Sequence, residues 1–124
     1  MRVTFARALF TVTIGVVGLS TLALAHTKLE KSEPSAGATL TEKPREIQLW
    51  FNEKIDQAVS KIELTSASGK VAVGPVHVMN GKQLMAPVTG AAPSGTYTVA
   101  WQTAGDDGHV VKGDFTFTVK ATTH

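Results

Sequence analysis

The amino-acid sequence predicts an all-β domain in which about seven short strands form a sandwich or barrel. Apolar and polar residues alternate in short stretches, and turn-forming residues interrupt the chain about every eight to twelve positions. Helical periodicity is almost absent. These features favour an Ig-like Greek-key architecture, and a chain of 124 residues has room for one such domain.

The strands are predicted in chain order. Residues 27–32 form an edge strand that ends before Pro34, and residues 46–51 and 61–65 form two alternating strands. Residues 66–70 turn the chain into a strand at 71–73. Asn80-Gly81 predicts a hairpin between 76–79 and 83–85, and residues 96–102 and 115–120 form the last two strands. The alternation predicts five interior residues in the first half: Ile47, Leu49, Phe51, Ile62 and Leu64.

Residues 1–25 are typical of a secretory signal. A short basic start precedes an apolar stretch over 8–24, and Ala23-Leu24-Ala25 is a cleavage sequence. An uncleaved membrane anchor is the alternative, but threonines and glycines within the apolar stretch weaken it. We expect cleavage after Ala25, export of a domain spanning 26–124 with His26 as its first residue, and no stable membrane insertion afterwards.

The charge balance and the lack of cysteine exclude several classes of function. Removing residues 1–25 leaves 99 residues with 10 basic and 10 acidic side chains, because Arg2 and Arg7 are the only charged residues in the leader. A neutral domain is a poor nucleic-acid binder, since phosphate binding needs a basic surplus. The absence of cysteine excludes disulfides, thiol nucleophiles and Cys-type metal sites.

Two histidines lie in contexts that suit a metal ion. Cleavage would give His26 an α-amine beside its imidazole, and the two can chelate one ion. Asp107 and His109 are two residues apart, so in an extended chain their side chains project to the same face. Imidazole, amine and carboxylate ligands favour Cu(II), with Ni(II) second and zinc weaker. Alternatively, Asp107-Gly108 is a turn and His109 a solvated loop residue.

In several segments the sequence resembles the CopC family of periplasmic copper-binding proteins. They are residues 25–29, 32–37, 49–53 and 95–101, followed by Asp107-Gly108-His109, Gly113 and 115–119. The resemblance implies a Greek-key β fold, a periplasmic location and one Cu(II) per chain. The implied ligands are His26, Asp107 and His109, while Glu53 matches a glutamate near the same site whose role, ligand or neighbour, stays open.

Some members of that family also have a methionine-rich Cu(I) site with its own histidine. Here only His77, Met79 and Met85 are available, without a methionine cluster. His77 and Met79 share a strand face and would form a weak site. In the favoured alternative, Met85 fills the core and His77 lies on an exposed face.

The resemblance implies a non-enzymatic protein that sequesters copper or delivers it to an inner-membrane copper transporter. A copper mono-oxygenase with a histidine chelate is one rival, although a carboxylate ligand would occupy a position that oxygen chemistry needs. A metal-free adhesion or assembly sandwich is the other.

Overall fold

The computed structural model describes residues 27–121, so the predicted signal segment and His26 lie outside the described residues. A single 3₁₀ turn spans Gln57–Val59. Nine strands are present in the described part of the chain: β1 (Leu29–Glu33), β2 (Thr39–Leu40), β3 (Glu46–Phe51), β4 (Lys61–Ser66), β5 (Gly69–Val71), β6 (His77–Met79), β7 (Gln83–Pro87), β8 (Gly95–Ala104) and β9 (Val110–Val119).

The strands form two sheets, which confirms the predicted all-β sandwich. The first sheet has the order β1-β3-β7-β6 and the second the order β2-β9-β8-β4-β5. All pairings are antiparallel except that of β2 with β9. A bulge between Leu29 and Lys31 interrupts the pairing of β1 with β3. No helix between residues 27 and 121 is long and apolar enough to cross a bilayer.

The core lies between the sheets and follows the alternation of the sequence. Each of the five predicted interior residues, from Ile47 to Leu64, is at most 5 % exposed. Tyr97 and Phe117 stack in the same core with ring centroids 5.5 Å apart. The Tyr97 hydroxyl donates a hydrogen bond to the Pro93 carbonyl, and burial raises the pKa of this tyrosine.

The two tryptophans lie on opposite sides of the first sheet. Trp101 is half-buried and contacts Phe51 in an edge-to-face arrangement, with ring centroids 5.3 Å apart. Trp50 points outward beneath the Lys31 ammonium group, which lies 4.7 Å from its ring centroid. Trp50 is out of phase with the inward-facing Leu49 and Phe51, as the alternation over residues 46–51 predicts.

The strand assignment differs from the prediction in several details. β9 begins at Val110, five residues before the predicted start at 115. The two-residue strand β2 was not predicted, because so short a segment carries no alternation to read. The strand expected at 71–73 is wrong: β5 occupies Gly69–Val71, since Ser66 already pairs with Gly69 across a two-residue loop. Val73 makes only an isolated bridge to Val88.

Residues 52–60 close one end of the sandwich by joining the two sheets. The Ile55 amide donates to the Gly81 carbonyl in the β6–β7 hairpin, and the Asp56 amide donates to the Ala104 carbonyl at the end of β8. The Ser60 hydroxyl donates to the Asp56 carbonyl and lies 2.7 Å from the buried Thr103 hydroxyl. The β8–β9 loop is therefore held beside the segment that follows β3.

Candidate metal centre

Asp107 and His109 lie together in the loop between β8 and β9. Asp107 Oδ2 is 3.1 Å from His109 Nδ1, and Asp107 Oδ1 accepts a hydrogen bond from the His109 amide at 3.0 Å. The loop is a tight turn in which the Gly108 amide donates to the Gly105 carbonyl. Gly108 has φ +79°, a left-handed conformation that glycine adopts without steric cost.

The pair is accessible to a dissolved ion. The side chains of His109 and Asp107 are 64 % and 36 % exposed. The 3.1 Å between Asp107 Oδ2 and His109 Nδ1 is close to the separation of two neighbouring ligand atoms on one ion, each about 2.0 to 2.2 Å from it. The two side chains therefore lie together in an accessible loop.

Glu53 lies beside the first described residue of the chain. Its Oε2 accepts a hydrogen bond from Thr27 Oγ1 at 3.0 Å, and Thr27 is only 8 % exposed. Gly105 packs against both: a Cβ at this position would collide with the Thr27 hydroxyl and would lie 3.2 Å from Glu53 Cδ. We call Thr27, Glu53 and Gly105 the N-terminal anchor.

Two backbone-linked contacts extend the N-terminal anchor. The Lys28 amide donates to Asn52 Oδ1 at 2.8 Å, and the Asn52 amide donates to the Lys28 carbonyl at 3.1 Å. The segment that follows His26 is thus fixed against residues 52 and 53, next to the start of the loop that carries Asp107 and His109.

The structure does not by itself assemble a complete metal site from the predicted residues it describes. Within 27–121, no group of three or more histidine, aspartate or glutamate side chains lies close enough to hold one ion. Asp107 and His109 form a pair, Glu53 belongs to the N-terminal anchor, and His26 lies outside the described residues. Sequence reasoning missed Thr27 and Gly105, whose close approach depends on contacts between distant segments.

The second candidate cluster, formed by His77, Met79 and Met85, lies on the outer face of the first sheet. His77 pairs directly with Met85 across β6 and β7, and Met79 pairs with Gln83. His77 is exposed, as expected, and Met79 is 42 % exposed. The expectation that Met85 fills the core is wrong, because Met85 lies on the outward face between the inward-facing Leu84 and Ala86.

Residues 29–120 match the CopC domain. The chain belongs to the CopC family. This CopC-family protein is 34% identical over 99 residues to protein YobA of Escherichia coli K12, covering 77% of this chain and 80% of the relative. It is 32% identical over 114 residues to copper resistance protein C of Escherichia coli, covering 85% and 90%.

The fold of a solved relative supports the same assignment. The crystal structure of PcoC, a methionine-rich copper resistance protein from Escherichia coli, superposes with a TM-score of 0.69 at 33% identity. The match covers 77% of this chain and 100% of PcoC. The family resemblance read from the sequence motifs is therefore confirmed.

Proposed function

We propose that this CopC-family protein binds one Cu(II) ion per chain through His26, Asp107 and His109. The observation that carries the proposal is the Asp107–His109 pair, held at 3.1 Å in an exposed loop next to the chain segment that begins at Thr27. The names of the relatives support copper as the ion, since they include copper resistance protein C and PcoC.

The donor set suits Cu(II). Two imidazoles, one amine and one carboxylate provide nitrogen and oxygen ligands, which fit a tetragonal site better than the tetrahedral arrangement that zinc prefers. The amine is available near neutral pH because an unperturbed α-amino group has a pKa of about 7.7 to 8.0. Cleavage after Ala25 is a condition of the proposal, because an amide nitrogen would replace the amine in an uncleaved chain.

The position of Thr27 supports the participation of His26. Adjacent Cα atoms are about 3.8 Å apart, so the first residue of the processed chain starts beside the buried Thr27. Thr27 in turn packs on Gly105, two residues before Asp107. Glu53 adds a second carboxylate near Asp107. Because Glu53 already accepts the Thr27 hydrogen bond, we assign it the role of holding Thr27 in place and not that of a direct ligand.

The cellular role that fits these features is copper handling in the periplasm without catalysis. The protein would sequester Cu(II) or pass it to an inner-membrane copper transporter by exchange of ligands. The charged Asp107 ligand disfavours the mono-oxygenase alternative, because it would occupy a coordination position that oxygen chemistry needs. The exposed Asp107–His109 pair has no role in the adhesion alternative.

The test measures copper binding by the exported protein, with its N-terminus identified by mass spectrometry. At a hundredfold excess over the dissociation constant, one ion that binds only the folded state adds about 2.7 kcal/mol to the free energy of unfolding. His109→Ala should unfold like the parent without copper and lose most of this gain. His77→Ala is the control, because His77 is also exposed but lies in β6, in the other sheet from the β8–β9 loop.

A second variant tests the amine. A protein that begins with one extra residue before His26 should fold normally and lose tight Cu(II) binding, because its chelate ring cannot form. Equal affinity in this variant would remove the amine from the site. If copper stabilises His109→Ala as much as the parent, His109 is not a ligand and the proposed site is wrong.

A further inference from the structure

We infer that Thr27 is a positioning residue that presets the N-terminal ligand of the proposed copper site. The inference rests on the proposed function and adds a part to it. Thr27, the residue that follows the proposed metal-binding amine, is buried and held by a hydrogen bond from its hydroxyl, so its position does not depend on the ion. The N-terminal anchor supplies this constraint.

The burial of Thr27 is the first reason. After the predicted cleavage Thr27 would be the second residue of the chain, a position that is ordinarily exposed and mobile, whereas Thr27 is 8 % exposed and its neighbour Lys28 is exposed. The Thr27 hydroxyl donates to a carboxylate oxygen of Glu53. A hydrogen bond to a carboxylate is stronger than one between neutral groups, so this contact holds Thr27 against Glu53.

The shape of the contact is the second reason. Gly105 leaves the space that Thr27 occupies, because a Cβ there would collide with the Thr27 hydroxyl. Gly105 is itself buried, and its carbonyl accepts the Gly108 amide in the turn that carries Asp107. One short path of contacts therefore connects the residue after His26 to the turn that presents the other ligands.

Preorganisation of this kind raises affinity by lowering the entropy lost on binding. A flexible terminus must lose backbone freedom when a bound ion orders it, and that loss weakens binding. In this chain the residue after His26 has already lost that freedom on folding. The hydrogen bonds between Lys28 and Asn52 hold the next residue in the same way.

The experiment compares Thr27→Val with Thr27→Ser in the processed protein, using a chelator competition to measure the Cu(II) dissociation constant. Valine keeps the shape of threonine but removes the hydroxyl, so we expect about tenfold weaker binding. Serine keeps the hydroxyl and should bind within about twofold of the parent. Thr96→Val is the control, because Thr96 carries an exposed hydroxyl 3.4 Å from that of Thr118, at the other end of β8.

A measurement without copper separates positioning from ligation. In the copper-free protein, the Lys28 amide should exchange its hydrogen faster in Thr27→Val than in the parent or in Thr27→Ser. A purely structural role for Thr27 would lower the melting temperature but leave the dissociation constant unchanged. Equal copper affinities for Thr27→Val and Thr96→Val would overturn the inference.

Glu53→Gln tests the acceptor of the same hydrogen bond. The amide oxygen can still accept from Thr27, so we expect a smaller loss of copper affinity than in Thr27→Val. A loss as large as that in His109→Ala would overturn the inference, since Glu53 would then be a ligand. If His109→Ala binds copper like the parent, the proposed function fails, and that result is distinct from a failure confined to Thr27.

Discussion

Ser60 and Thr103 make a buried hydrogen bond whose two ends should respond differently to mutation. Because the Ser60 proton is donated to the Asp56 carbonyl, Thr103 is the donor in the 2.7 Å contact between the two hydroxyls. Thr103 is 0 % exposed and Ser60 is 7 % exposed. The contact joins residues 52–60 to the end of β8.

Thr103→Val removes one hydrogen bond and keeps the shape of the side chain. Ser60 still donates to Asp56, so no buried donor loses its acceptor, and the cost should be about 1 kcal/mol. Ser60→Ala removes two hydrogen bonds and leaves the Thr103 hydroxyl buried without its acceptor. This variant should lose about 2 to 3 kcal/mol, since an unsatisfied buried donor costs about 1 to 3 kcal/mol.

Urea unfolding of the copper-free protein measures both variants. In a domain of this size, 1 kcal/mol corresponds to roughly 4 to 8 °C in melting temperature, so thermal unfolding provides a second readout. The double variant should be no less stable than Ser60→Ala, because Thr103→Val removes the orphaned hydroxyl. A larger loss in Thr103→Val than in Ser60→Ala, or strictly additive losses, would refute this assignment of donor and acceptor.

Three further predictions concern the loop, the core and the metal. Gly108→Ala should cost about 1 kcal/mol from backbone strain alone, because φ is +79° and no atom lies within 4 Å of the added Cβ; a neutral effect in urea unfolding would contradict the left-handed turn. The raised pKa of Tyr97 means that its stabilising contribution is complete below the unfolded pKa of about 10 and is lost as pH rises through the folded pKa. As the pH rises above 10, the melting temperature of Tyr97→Phe should therefore fall less steeply than that of the parent, and equal slopes of melting temperature against pH would contradict this. Asp107→Asn should weaken Cu(II) binding less than His109→Ala. The parent should bind one Cu(II) that equimolar zinc does not displace. Calorimetry measures these affinities and the stoichiometry, and a second tightly bound Cu(II) would contradict the assignment.

The sequence was sufficient to predict the sandwich because its signals are local. The alternation over residues 46–51 and 61–65 identified interior side chains directly, and Asn80-Gly81 marked a hairpin that the structure contains. β2 escaped prediction because its two residues are fixed by parallel pairing with β9, a contact between distant segments. The position of Met85 was wrongly predicted because its apolar side chain suggested the core, whereas the alternation of β7 places it on the outward face.

The candidate site was predictable to the extent that its residues are neighbours in sequence. Asp107 and His109 are two positions apart, and the structure brings them together. The N-terminal anchor joins residues 27, 53 and 105, so no sequence window contains it. The participation of His26 stays a prediction that requires the predicted cleavage after Ala25.

The edges of the two sheets have a consequence for how the protein behaves at high concentration. Three of the four edge strands, β2, β5 and β6, have only two or three residues, and the fourth, β1, contains a bulge. Short or bulged edges with charged side chains such as Lys31 and Glu33 give another chain little backbone to pair with. These four edge strands therefore resist edge-to-edge pairing, whereas the outer edge of β9, to which β2 pairs only at Thr118 and Val119, is where we expect association through the backbone to begin.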